Sequence, residues 1–212
     1  RKYVDSDFVR FHYGKPERWG GWQNLPNPNK TIVGVVRDTH SWVGLDGTRY
    51  LALGTDRKLY IYQGGAVSDI TPLRQTESLT NPFTTNGTTT VSVNDAAHGA
   101  AVGDFVTFDS FSTIDGLDMN QEFEITSVTD ASNYKVTHTS AASGSTSGGG
   151  GGSGNAKYQI TTGPSTSTFG YGWSTLTWGE STWDTARSSS DVVLSARQWS
   201  LDNFGEDLIA TV

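Results

Sequence analysis

The sequence predicts an all-β protein: meander sheets of the radially repeated, propeller-like kind, together with a small β-barrel or β-sandwich. Three observations predict it. Residues 49–65 hold two period-two runs, Leu51 and Leu53 alternating with Tyr50, Ala52 and Gly54, then Leu59 and Ile61 alternating with Tyr60 and Tyr62. The polar break Asp56-Arg57-Lys58 between them reads as the turn of an antiparallel hairpin. Trp42 and Trp199 each stand nine residues before a strand-like Leu-containing run, at Leu51 and Leu208, a spacing that favours a repeat. The composition (25 Gly, 34% hydrophobic, rich in Thr and Ser) fits many short strands and tight turns, and no window gives an amphipathic helix.

Taken in order, residues 8–13 alternate Phe8, Arg10 and His12 with Val9, Phe11 and Tyr13, and Gly14-Lys15-Pro16 reads as a turn. Trp19-Gly20-Gly21-Trp22 sets large rings beside small residues; a packed corner is preferred over a sugar-stacking platform. Residues 32–37 supply a compact apolar strand. After the 49–65 hairpin, Gly64-Gly65 offers a turn and residues 66–70 a third strand, stopped by Pro72. Such a meander does not bury both faces alone and needs a neighbour.

From Thr71 the chain turns to Thr, Asn and Ser, and a different module follows. Strands are expected at 89–93, 104–108, 122–128, 134–138 and 157–161, with a turn at 130–133. Five strands suffice for a small barrel or sandwich. The Gly/Ser run at 144–154 reads as flexible coil, a long loop inside the module, spanning roughly 18 Å if it behaves as a random chain. The predicted organisation is a first β domain at 1–85, an inserted β domain at 86–162 and a resumed β domain at 163–212, cut short at its C-terminal end.

In 169–183, Trp173, Trp178 and Trp183 stand five residues apart on Gly-rich strands. Core aromatics are the preferred account, and a carbohydrate-binding ladder is the alternative. Residues 191–196 and 198–201 then resume the strand pattern.

The chemistry-bearing residue types are sparse. There are no cysteines, which removes disulfides, zinc-thiolate sites and Cys nucleophiles together. His12, His40, His98 and His138 lack metal-ligand spacing, and Asp5-Ser6-Asp7 is too short for a calcium loop. No nucleophile elbow, phosphate loop or dinucleotide fingerprint is present. The expectation is therefore a non-enzyme with no catalytic, cofactor-binding or metal site and no cofactor. The net charge of −7 argues against a basic nucleic-acid-binding face, though an acidic wall would let DNA slide past. No run approaches the ~20 apolar residues of a membrane span. With Arg1 in first place and no leader in view, the chain is expected to be a piece of a longer or processed protein.

Several landmarks resemble one family. Asp7-Phe8-Val9-Arg10-Phe11, then Gly14-Lys15-Pro16, then Gly20-Gly21-Trp22 resembles the opening of the tail hub, or nozzle, proteins of short-tailed bacteriophages, also called packaged-DNA stabilisation proteins. The segments 51–74, 170–183 and 198–211 are similar to that family's later strands, so the resemblance touches 1–75 and about 165–212. It implies a propeller-like structural subunit in a homo-oligomeric ring, usually of six, located in the virion tail. Such a ring extends the tail tube and retains packaged DNA until ejection. Implied partners are the tail adaptor protein, tail fibres or spikes, and genomic DNA passing without sequence-specific contacts. The alternative is a secreted carbohydrate-binding all-β protein using its Trp-rich strands.

Overall fold

A computed structural model describes residues 9–18, 31–163, 167 and 196–212. Among them every regular element is a strand, so the all-β expectation holds. The described residues form two hairpins and two larger sheets.

The first hairpin joins β1 (Val9–His12) to β2 (Lys15–Arg18). Its turn is Tyr13-Gly14, not Gly14-Lys15-Pro16, because Lys15 and Pro16 already pair with His12 and Phe11. Pro16 is tolerated there because a two-stranded ribbon leaves outward-facing positions that owe the ladder no N–H.

The four-stranded sheet runs in sequence order: β3 (Val36–Val43), β4 (Arg49–Thr55), β5 (Leu59–Gln63) and β6 (Ala66–Asp69). The three predicted strands are β4 to β6, with turns at 56–58 and 64–65. The predicted strand at 32–37 is displaced: strand pairing begins at Val36, and the apolar residues before it form a cover instead. Leu51, Leu53, Tyr60, Tyr62 and Val67 share one face, and Ile32 packs on it. The Val33 amide donates to the Tyr60 hydroxyl at 3.0 Å, which fixes that cover.

The opposite face is closed by the end of the chain. β14 (Ser200–Phe204) and β15 (Asp207–Thr211) form a hairpin that lies against β3 and β4. His40 meets Asn203 at 2.8 Å, the Trp42 indole donates to the Glu206 carbonyl at 3.0 Å, and the Leu201 amide donates to Asp38 at 3.1 Å. The Trp199 ring lies directly on Gly54, where an added Cβ would stand 2.6 Å from the ring system. Gly54 is needed for that approach.

The equal spacing after Trp42 and Trp199 does not reflect equivalent positions. Trp42 lies within β3 opposite Tyr50, and the residues from Gly44 to Thr48 form the loop to β4. Trp199 precedes β14, whose hairpin turns through Gly205-Glu206 alone. Leu45 is therefore exposed at a loop tip while Leu201 sits in a strand facing β3.

The second sheet has seven antiparallel strands in the order β7-β13-β10-β11-β12-β9-β8. They are β7 (Leu73–Thr80), β8 (Phe83–Thr84), β9 (Thr90–Asn94), β10 (Phe105–Asp109), β11 (Glu122–Asp130), β12 (Asn133–Thr137) and β13 (Ser153–Gln159). The expected strands appear as β9 to β13, with the 130–133 turn between β11 and β12. Two were missed, β7 and β8, and β7 brings residues ahead of position 86 into this sheet. The sheet is neither a closed barrel nor a sandwich of two sheets. It curls until its end strands, separated in sequence only by Asn81 and Pro82, meet at one corner without a ladder between them.

The core inside that curl gathers Phe83, Val91, Val93, Val106, Phe108, Phe111, Ile125 and Val136 among others. Within it Tyr158 donates to Asp95 at 2.5 Å, and Tyr134 and Tyr158 share a hydroxyl contact at 2.8 Å. Burial, joined by the Asp95 carboxylate, pushes both phenols far above their ordinary values.

The Gly/Ser run is not free coil. Phe83 exchanges both backbone hydrogen bonds with Gly150, and the Asn81 amide donates to the Gly152 carbonyl at 2.7 Å. A Cβ on Gly151 would strike the Phe83 ring at 2.5 Å, so a ring packed flush on backbone requires glycine there.

Two outcomes follow from this packing. Trp199→Ala is expected to cost about 3–5 kcal/mol in urea unfolding, since a buried ring leaves a cavity that the sheet fills only in part. Tyr134 and Tyr158 have folded pKa values above the unfolded value of about 10, so their contribution is complete below that pH and is lost as pH rises beyond it. Phenolate absorbance from these two should appear together with unfolding in an alkaline titration, and a separate earlier phase from either would contradict the buried network.

Candidate functional site

The turn from Thr55 to Lys58 is where the two large sheets and the returning end of the chain meet. The Lys58 amide donates to the Thr55 hydroxyl at 2.7 Å and the Thr55 amide to the Lys58 carbonyl at 2.8 Å, which closes a tight loop between β4 and β5. Four neighbours attach to it. Val35 and Asp56 bond in both directions, the Val35 amide reaching Asp56 Oδ1 at 2.7 Å. The Trp199 indole donates to the Thr55 carbonyl at 2.9 Å. The Thr162 hydroxyl donates to the Asp56 carbonyl at 2.8 Å. Arg57 and Lys58 reach into the seven-stranded sheet.

Arg57 donates to the Gly103 carbonyl at 3.0 Å and to Glu124 at 3.1 Å, near the surface. Lys58 is a different case. Its side chain is 1% exposed, its Nζ donates to Asp69 Oδ2 at 2.8 Å and to Glu122 Oε1 at 2.5 Å, and it lies 4.4 Å above the Phe105 ring. Asp69 ends β6, while Glu122 opens β11, so the ammonium joins the two large sheets. A buried cation is retained only when paired in this way.

The electrostatics agree. Burial works against the Lys58 ammonium, but its hydrogen bonds to Asp69 and Glu122 outweigh it and hold the group above the ordinary lysine value. Burial likewise works against the Asp69 carboxylate, yet Lys58 and Thr71 together hold it below the ordinary value. The Thr71 amide and hydroxyl both donate to Asp69 Oδ1, at 3.0 and 2.7 Å. Gln159 donates to Glu122 Oε1 at 2.7 Å, so each carboxylate is oriented by a further side chain.

The sequence assigned no site residues, and these were missed. Asp56-Arg57-Lys58 read as a polar turn, and nothing local links Lys58 to Glu122, 64 residues away. The one available signal was a lysine immediately ahead of the apolar run of β5.

The histidines do not come together. His12 faces Glu17 on an exposed hairpin, and His40 lies against β14. His138 Nδ1 accepts from the Ser140 amide within a loop. His98 is buried, accepting from the Ala100 amide at Nδ1 and facing the Asp130 carbonyl with Nε2 at 3.1 Å, a structural role. Among the described residues no group of three or more His, Asp or Glu has the arrangement of a metal site. No helix there is long and apolar enough to cross a membrane. Asp5 and Asp7, the Trp19 to Trp22 corner and the Trp173, Trp178 and Trp183 ladder lie outside the described residues.

Replacing Lys58 by Met should lower stability by about 3–5 kcal/mol, because two partly buried carboxylates lose their cation. Arg57→Ala should cost under about 1 kcal/mol, being half-exposed and screened. Urea denaturation of the two variants side by side measures the difference; equal losses would show that Lys58 is solvated.

Neither a protein-family model nor a curated protein matches the chain. Among solved structures, the endosialidase of phage phi92 is similar at a TM-score of 0.37 and 18% identity, over 59% of this chain. The aligned region spans 19% of that enzyme's length.

Proposed function

We propose that the chain is a structural component of a short-tailed phage tail, part of the ring-shaped hub or nozzle that extends the tube and holds packaged DNA until ejection. The observation that carries this reading is the ordered series of landmarks, from Asp7-Phe8-Val9-Arg10-Phe11 through 51–74 to 198–211. Two features of the fold support it. The four-stranded meander β3 to β6, in sequence order, has the strand arrangement of a propeller blade. The β14–β15 hairpin returns to cover that sheet after the seven-stranded module, as expected if the module interrupts a larger β domain.

In this reading the copies form a closed ring, six by the family resemblance, which contacts the adaptor above it and fibres or spikes beside it. The protein resides in the virion tail and acts without catalysis. Its acidic balance serves the passage of DNA, since carboxylates lining a bore repel phosphate and leave few lasting contacts.

Antibody raised against residues 73–159 should label the distal end of the tail in intact virions, and virions that carry no label would overturn the proposal. The charge idea has its own test. Reversing bore-lining carboxylates to lysine in the assembled ring should slow genome ejection while leaving assembly intact. A bore that is neutral or basic would end it. Saturable glycan binding lost on Trp178→Ala would favour the carbohydrate-binding alternative.

A further inference from the structure

We propose that Lys58 and Asp69 condense to an intramolecular amide, with Glu122 carrying the proton. The inference goes beyond the tail reading and does not depend on it.

The parts of an acyl-transfer site are assembled around one buried amine. Lys58 Nζ is the nucleophile, held 2.8 Å from Asp69 Oδ2 by the β5 and β6 backbones. The Asp69 carboxyl is the electrophile. Its other oxygen, Oδ1, already receives two donors, the Thr71 amide and hydroxyl, which is the arrangement that stabilises an oxyanion. Glu122 Oε1 lies 2.5 Å from the same nitrogen and is oriented by Gln159. Phe105 covers the amine at 4.4 Å and helps keep water from it. A nucleophile, a base within hydrogen-bond reach and a group that orients the base are the general signature of covalent chemistry.

The hydrogen bonds hold Lys58 and Asp69 as an ion pair at rest, and the amide forms from the neutral pair in equilibrium with it. The resting ion pair is one proton transfer, along the Nζ–Oδ2 hydrogen bond, from a neutral amine beside a neutral acid. The fixed geometry replaces the entropic cost of a bimolecular encounter. Condensation also removes two desolvated charges from the interior.

The step balances without a co-reactant. Nζ forms a bond to Asp69 Cγ, and the electron pair of the C–O double bond moves onto Oδ1, held by Thr71. Glu122 accepts a proton from Nζ and passes it to the Oδ2 hydroxyl, which leaves as water. The Oδ1 pair then re-forms the carbonyl, and Glu122 ends as the carboxylate it began as. Nothing is oxidised or reduced.

Intact mass of the purified, fully denatured chain tests the proposal. The expected mass is one water below that of the sequence. Trypsin, which cuts after a free lysine, should then leave Lys58 uncut, and the peptide from Lys58 to Arg74 should itself be one water light. A full mass overturns the proposal, and so does a water-light chain in which Lys58 is cleaved, because that marks a succinimide at Asp69. Lys58→Arg and Glu122→Gln should each return the full mass while keeping the β-sheet circular dichroism of the parent. A folded Glu122→Gln protein that still lost the water would overturn the role given to Glu122.

Discussion

Before any condensation with Asp69, the ammonium of Lys58 is the constraint on which the arrangement of the two large sheets depends. A cation that is 1% exposed has exchanged its hydration for whatever surrounds it, and here that is one carboxylate from each sheet and an aromatic face. Desolvating such groups costs several kcal/mol per ion, and their attraction repays it only when the geometry is good. The net gain in stability is therefore modest, and the gain in definition is large. A shift of β6 or β11 would leave a buried charge without its partner.

That polar junction separates two apolar cores. Leu53, Tyr60 and Val67 form one cluster, the Phe83 to Tyr158 group another, and among the described residues no buried apolar residue belongs to both. Apolar contact is tolerant of sliding, because area burial has no direction. Hydrogen bonds and ion pairs are not tolerant of it. Placing Arg57, Lys58 and Thr162 at the boundary gives two independently packed bodies a defined mutual position with little shared core.

How much of this was legible follows from how local each feature is. The β4–β5–β6 meander was readable because its alternation and its turns lie within one stretch. The five strands β9 to β13 were readable for the same reason. β7 was not, since Leu73-Arg-Gln-Thr-Glu-Ser-Leu-Thr80 carries almost no apolar alternation; it is an edge strand whose backbone pairs with β13 while its side chains stay largely in solvent. The Gly/Ser run misled because glycine serves both flexibility and close approach, and only the Phe83 ring reveals which applies. The Trp spacing misled because a coincidence of interval carries no information on register. Lys58 was illegible in kind: its meaning lies in Glu122, and a single sequence does not pair residues that far apart.

The topology also explains how the seven-stranded module fits between the four-stranded sheet and the β14–β15 hairpin that covers it. β7 and β13 are the module's entry and exit strands, and they pair over their whole length, Leu73 opposite Gln159. The Ile160 amide extends that pairing to the Pro72 carbonyl at 3.0 Å. Entry and exit therefore stand one strand spacing apart, so the host bridges a gap about as wide as a hairpin's. Closing a chain across so short a gap through an already folded module carries little of the entropy that a free loop of the same length would lose. The remaining task is to hold the returning chain in place. Thr162 bonds to the Asp56 carbonyl and Trp199 to the Thr55 carbonyl, so the turn that anchors Lys58 receives the chain on its return as well. One loop of four residues thus sets both the angle at which the module leaves and the place to which the chain comes back.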